Sequence, residues 1–160
     1  MITYASEVTI ARPPEIVFPY LIEREKQGLW SDVEMRPLTE GPFVQGSRIE
    51  LTLPMGPLKT SIQMEYSSVV PNQLVAWRTV SQSPIQWDGE YRVERSGDGG
   101  TRLSQSGRVQ FRGLWRLLEP IAGAEIRQGE IKELERLRAV VEQVPATITD
   151  ATPPPPMPVE

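Results

Sequence analysis

The stretch Ile85-Gln86-Trp87-Asp88-Gly89-Glu90-Tyr91-Arg92-Val93-Glu94 sorts its side chains into two sets by strict alternation. Ile85, Trp87, Gly89, Tyr91 and Val93 fall on one side, and Gln86, Asp88, Glu90, Arg92 and Glu94 on the other. A period of two residues is the mark of an antiparallel strand with one face buried and one in water. Downstream, Gly97-Asp98-Gly99-Gly100 is a hairpin turn, and residues 101–111 form the next strand with Leu103, Val109 and Phe111 inward. Upstream, Ser83-Pro84 and Pro71-Asn72 bracket a strand over residues 74–81, and residues 58–70 form a long strand with Leu58, Ile62, Met64 and Tyr66 inward. Pro54-Met55-Gly56-Pro57 joins it to residues 47–53, whose inward side chains are Ile49, Leu51 and Leu53.

Two more strands complete the sheet, at residues 2–11 and 33–39. Between them Pro13-Pro14 stops the first strand and opens a short helix, since proline is tolerated in a first helical turn. A second short helix is expected over residues 23–29. After Gly113 the period changes to helical. Leu117, Ile121, Ala124, Ile131, Leu134, Val141 and Val144 recur at steps of three and four or their multiples. This predicts a C-terminal helix of about 30 residues, roughly 45 Å long, kinked or restarted at Pro120. The expected fold is therefore α+β: a curved sheet of seven antiparallel strands wrapped around one long helix, a shape that encloses a pocket between the two. Residues 1–144 form the domain, and residues 145–160, with Pro153 to Pro156 and Pro158, form a disordered proline-rich tail.

Composition limits the chemistry. The chain has 160 residues, a net charge of −4 with both signs interspersed, no Cys and no His. It has no basic footprint for nucleic acid, no apolar run of membrane-spanning length and no signal-peptide core at its start, so a cytoplasmic protein is expected. Without Cys and His, disulfides, thiolate nucleophiles, Ser-His-Asp triads and ordinary zinc sites are excluded, and neither metal nor cofactor is expected. Any catalysis must rest on Asp, Glu, Tyr, Lys or Arg, which weighs against an enzyme.

Several segments carry a family resemblance. Val8-Thr9-Ile10-Ala11-Arg12-Pro13-Pro14-Glu15-Ile16-Val17-Phe18 resembles the strand-to-helix opening of the START-like or SRPBCC superfamily, in its polyketide cyclase/dehydrase and lipid-transport branch related to Bet v 1. Trp30-Ser31 stands where these proteins often carry a tryptophan before the second strand, and residues 84–94 with Gly99-Gly100-Thr101-Arg102-Leu103 resemble their last hairpin. The resemblance implies a helix-grip fold with a deep cavity for a small hydrophobic or amphipathic ligand: a lipid, polyketide or aromatic metabolite. Some relatives use an interior lysine for condensation chemistry. Lys26, Lys59 and Lys132 are the lysines here, and Lys59 and Lys132 read as outward-facing.

The side chains expected to meet in that cavity are Met64, Tyr66, Trp77, Trp87, Tyr91, Gln105, Phe111 and Gln128. Met and the aromatics offer an adaptable apolar wall, and the two amides its uncharged polar pair. Gly123 and Gly129, flanking Gln128, either permit close approach of a ligand or accommodate the bend at Pro120. Three functions fit this pattern: a carrier or sensor for a small hydrophobic ligand, a cyclase, aromatase or dehydratase with Tyr66, Tyr91 or Gln105 polarising a carbonyl, and a protein-interaction module with an incidental pocket. Monomer and dimer both remain open.

Overall fold

A computed structural model describes residues 1–55 and 57–145. Gly56, in the expected turn after residue 55, and the proline-rich tail beyond residue 145 lie outside the described residues. Strand β1 (Ile2–Ile10) leads into three single-turn helices, α1 (Pro14–Val17), α2 (Pro19–Ile22) and α3 (Arg24–Gln27). Six strands follow: β2 (Glu34–Pro37), β3 (Arg48–Met55), β4 (Leu58–Val70), β5 (Leu74–Thr79), β6 (Ile85–Arg95) and β7 (Thr101–Phe111). A 3₁₀ turn (Gly113–Leu118) then precedes the long helix α4 (Glu119–Glu142).

The seven strands form one antiparallel sheet in the order β1-β7-β6-β5-β4-β3-β2. Meandering accounts for β2 through β7. The first strand then pairs with the last, Ser6 opposite Gln105 and Val8 opposite Leu103. The edges β1 and β2 are thus neighbours in sequence, and α1–α3 bridge them across the concave face. This is the helix-grip architecture. Turn chemistry supports the meander: Asn72 takes a positive φ of 61° between β4 and β5, and Gly99 one of 85° between β6 and β7, conformations that Asn and Gly adopt at low cost.

The core lies between the concave face and the helices. Ile10, Leu21, Phe43, Ile62, Leu103 and Leu137 are all fully buried. Helix α4 is fixed to β1 at both ends. Arg127 donates from Nε to the Thr3 carbonyl at 3.0 Å, and Arg12 donates to the carbonyls of Glu142 and Val144 at 2.5 and 2.6 Å. The latter pair places a cation on the unsatisfied carbonyls at the helix C-terminus, where the helix dipole favours it.

The long helix departs from the sequence expectation in length and phase. Pro120 sits in the first turn of α4 and restarts the helix, so the segment before it is 3₁₀ and α4 itself has 24 residues, about 36 Å. The buried stripe is Gly123, Glu130, Leu134, Leu137 and Val141. Leu117, Ile121 and Ile131, expected inward, are 76%, 69% and 51% exposed. The cause is the change from three to 3.6 residues per turn at Pro120, together with a carboxylate inside the stripe that a search for apolar residues passes over. Leu58 is also exposed, because it begins β4 beyond the reach of the helices.

The two helix glycines have different surroundings. A Cβ on Gly123 would stand 3.7 Å from Ile2 of β1, at ordinary van der Waals distance, so this position packs on the sheet without requiring glycine. Gly129 faces open space. Gly129→Ala should therefore raise stability by about 0.5–1 kcal/mol through helix propensity alone. Urea unfolding of the two proteins measures it, and an unchanged or lower midpoint would contradict it.

Candidate functional site

Sheet register sets the floor of the site. Tyr4, Gly107, Gly89, Trp77 and Tyr66 are successive cross-strand partners on β1, β7, β6, β5 and β4. Two adjacent glycines in the middle of a sheet leave its inner face bare, and their neighbours fall inward over them. A Cβ on Gly107 would lie 2.3 Å from the Tyr4 hydroxyl, and one on Gly89 would lie 2.7 Å from Cζ2 of Trp77. Laid over Gly107, Tyr4 accepts a hydrogen bond from Trp87 Nε1 at 2.8 Å. Trp77 packs against Tyr91 with ring centroids 4.8 Å apart, and Trp30 meets Tyr91 edge-on at 6.3 Å. Tyr66 stacks on Phe43 at 4.6 Å.

Trp30, Tyr66, Trp77, Trp87 and Tyr91, with Ile49, Leu51 and Met64 from β3 and β4, line a cavity of about 80 Å³. That is room for a few waters or a small ligand. Its other walls come from α3, the loop after it, β2 and α4, through Gln27, Trp30, Ser31, Val33, Met35, Glu130 and Glu133. Trp30 is held there by donating from Nε1 to the Tyr20 carbonyl at 3.0 Å.

The polar groups gather where α4 crosses β6 and β7. Gln105 donates from Nε2 to Glu130 Oε2 and, at 3.5 Å, to the Tyr91 hydroxyl. Glu133, one turn further on, accepts from Ser31 Oγ at 3.0 Å. Gln27 donates to the Leu21 carbonyl at 2.8 Å and to the Tyr66 hydroxyl at 3.4 Å. Gln105, Gln27 and Glu130 are only 2%, 7% and 8% exposed. The Oε1 atoms of both glutamines are buried without a protein partner. Among the described residues no Lys or Arg lines the cavity.

This setting disfavours negative charge. Burial, reinforced by the charge of Glu133 and opposed by the Gln105 hydrogen bond, pushes the Glu130 carboxyl up to about 8. Glu133 is raised as well, by burial first, with the Ser31 hydrogen bond and Arg136 pulling the other way. Burial pushes the Tyr66 phenol up to about 12 and the Tyr91 and Tyr4 phenols above their ordinary range, so all three stay protonated hydrogen-bonding groups at neutral pH.

Six of the eight expected residues, Met64, Tyr66, Trp77, Trp87, Tyr91 and Gln105, line this one cavity. Phe111 is inward and buried but ends β7 beyond the cavity, where its backbone N–H donates to Glu119 Oε1 at 3.2 Å. Gln128 is a correction: it is exposed, about 200° around α4 from Glu130, so the residue meeting Gln105 is Glu130. The signal for Glu130 is present in the sequence. Counted back from Val141 through Leu137 and Leu134 by intervals of four and three, the next interval of four lands on Glu130.

The helix-grip fold and its aromatic cavity define a START-like, SRPBCC protein. The chain belongs to the polyketide cyclase/dehydrase and lipid transport family, which matches residues 1–142. Among solved structures it is similar to the Zhui aromatase/cyclase from Streptomyces sp. R1128, with a TM-score of 0.69 and 17% identity over 88% of this chain and 93% of that one. It is also similar to TTHA0849 from Thermus thermophilus, with a TM-score of 0.68 and 14% identity over 87% and 96% of the two chains. A third similar structure is Ara h 8.0201, with a TM-score of 0.64 and 14% identity over 89% and 98%. At such identities these likenesses speak for the fold alone. No curated protein sequence matches the chain. Among the described residues no helix is long and apolar enough to cross a membrane.

Gly107→Ala should cost about 1–3 kcal/mol, because Tyr4 must leave its place and its bond to Trp87. Denaturant unfolding and a shifted tryptophan emission measure this, and wild-type values would contradict it. Stability should also depend on pH through Glu130. With its folded value near 8 against about 4.5 unfolded, Glu130 holds its proton more tightly in the folded chain. Its contribution to stability is full below about pH 4.5 and is lost as pH rises toward 8. Glu130→Gln should remove that loss, matching wild type near pH 5 and exceeding it by an amount on the order of a few kcal/mol near pH 8. Parallel melting curves give the comparison, and a variant equal to wild type at both values would refute it.

Proposed function

We propose that this chain binds a small amphipathic ligand in the cavity between sheet and α4 and serves as its carrier or sensor. The observation that supports this reading is the division of the cavity wall. Aromatic and aliphatic side chains make up most of it, and a single polar cluster, Gln105 with Glu130 and nearby Glu133, stands at one side. Pockets that hold amphipathic molecules share this division: apolar surface supplies affinity and a few placed polar groups fix orientation. A family whose description includes lipid transport is consistent with it.

A second reading, a cyclase- or dehydratase-type enzyme in the same cavity, draws on one specific feature. A carboxyl that titrates near neutral pH performs the general acid and base work otherwise given to histidine, so the lack of His does not argue against catalysis here. The Tyr91 phenol and the Gln105 amide stand beside it as groups able to polarise a carbonyl. The Zhui neighbour is described as an aromatase/cyclase.

Native mass spectrometry of freshly purified protein tests the carrier reading. It should show a bound small molecule that is lost on denaturation, and the same molecule added back should quench the emission of Trp30, Trp77 and Trp87. Protein that stays empty and takes up nothing from a panel of small amphipathic compounds would sink it. For the enzyme, Glu130→Gln is the discriminating variant. Turnover of a short polyketide mimic that falls at least about a hundredfold while binding persists would establish catalysis; absence of turnover by wild type would leave the carrier.

A further inference from the structure

Two side-chain oxygens at the cavity are buried without any partner among the described residues, Oε1 of Gln105 and Oε1 of Gln27, and both are acceptors. Among the described residues the carboxyl groups of Glu130 and Glu133 receive the Gln105 amide and the Ser31 hydroxyl. The indole donors nearby are committed elsewhere, Trp30 Nε1 to the Tyr20 carbonyl and Trp87 Nε1 to the Tyr4 hydroxyl, and the Tyr66 and Tyr91 hydroxyls, which accept from Gln27 and Gln105, are the donors the wall can still offer. Two carboxylates share the space, and among the described residues no lysine or arginine lines it to balance them. The remaining wall is aromatic, with Trp30, Trp77, Trp87 and Tyr91 around one volume. Indole and phenol faces carry negative electrostatic potential and attract organic cations.

We infer that the polar head of the ligand is a protonated amine, carried on a small apolar or aromatic body. This assignment rests on the ligand-binding reading above and narrows it to a chemical class. An ammonium group has three donors, enough for the Gln105 amide oxygen and the Glu130 and Glu133 carboxyl groups near it, and its positive charge offsets a carboxylate that otherwise has no counter-charge. An anionic ligand would bring a negative charge to two carboxyl groups whose own ionisation burial already disfavours. A neutral alcohol or amide would satisfy some acceptors and leave the charge unbalanced.

The empty and occupied states then differ by a proton. The groups facing Glu130 are Gln105, Tyr91 and Tyr4 on the sheet and Glu133 on its own helix, with the Arg136–Asp32 ion pair beside Glu133. None of the cations among them reaches into the cavity, so the empty site lowers its charge by keeping Glu130 protonated at neutral pH. Entry of an ammonium ion replaces that proton. Binding should therefore release close to one proton per ligand at pH 7, and affinity for the amine should rise with pH toward 8.

Isothermal titration calorimetry with three probes on one carbon skeleton, 3-phenylpropylamine, 3-phenylpropanamide and 3-phenylpropanoate, tests this at pH 7 in buffers of different ionisation heat. The amine should bind at least about tenfold more tightly than the amide, with proton release, and the acid most weakly. Glu130→Gln, checked by circular dichroism for its fold, should lose that preference and the proton release; Glu133→Gln should weaken the amine as well. Amide or acid binding as tightly as the amine, or a Glu130→Gln variant that keeps the preference, would overturn the amine assignment and leave the ligand-binding reading intact. No binding of any probe, with a neutral molecule co-purifying, would do the same. No binding of any probe by a protein that also purifies empty would overturn both.

Discussion

The hydrogen bond from Gln105 to Glu130 joins the last strand to the long helix, and the interior is organised around it. A carboxyl group cannot be buried against leucine and valine alone; without a partner its desolvation outweighs any packing gain. The chain supplies one amide from the sheet and no counter-charge, and it leaves a cavity of about 80 Å³ where a closed core would have a side chain. Below this point on α4, Leu134, Leu137 and Val141 pack as ordinary core. Above it, Gly123 packs on Ile2 at van der Waals distance. The site is where the buried stripe of the helix gives way from apolar packing to a carboxyl group.

The sheet makes room for this from the opposite side. Gly89 and Gly107, paired across β6 and β7, cost strand stability and give up side-chain packing. Tyr4 and Trp77 recover part of that loss by covering the exposed backbone, and Trp77 in doing so becomes part of the cavity wall. The Tyr4–Trp87 hydrogen bond then fixes the orientation of the rings. Two residues without side chains thus decide where three large aromatic ones lie.

Alternation makes the sheet half of this arrangement legible in the sequence. A strand's inward set follows from parity, and a slip of one residue would expose the whole set, so Met64, Tyr66, Trp77, Trp87, Tyr91 and Gln105 can be placed before any coordinates. The seven strands and their order along the chain follow from the same pattern. The helix half resists such reading for two physical reasons. The 3₁₀ segment before Pro120 has a different period, so a stripe begun at Leu117 enters α4 out of phase and leads to Gln128. In addition, the true stripe contains Glu130, and hydrophobic periodicity treats a buried carboxylate as a solvent-facing one. Gln27, at the end of the single-turn α3, and the loop residues Trp30 and Ser31 belong to no run long enough to show a period, and only tertiary packing brings them over the cavity.

Glu130 is costly to the fold, and that cost is informative. The other side chains of the stripe after it are Leu134, Leu137 and Val141, and an aliphatic side chain at position 130 would remove a desolvated acid. Stability alone would not place a carboxyl beneath Tyr91 or leave the far oxygen of Gln105 without a donor. Features that lower stability without a structural return gather at sites where a molecule binds or reacts, because that molecule supplies the missing interactions. In this chain two buried amide oxygens without donors and two carboxyl groups without a counter-charge line the same cavity. The fold closes around them, and under the ligand-binding proposal the bound molecule supplies what they lack.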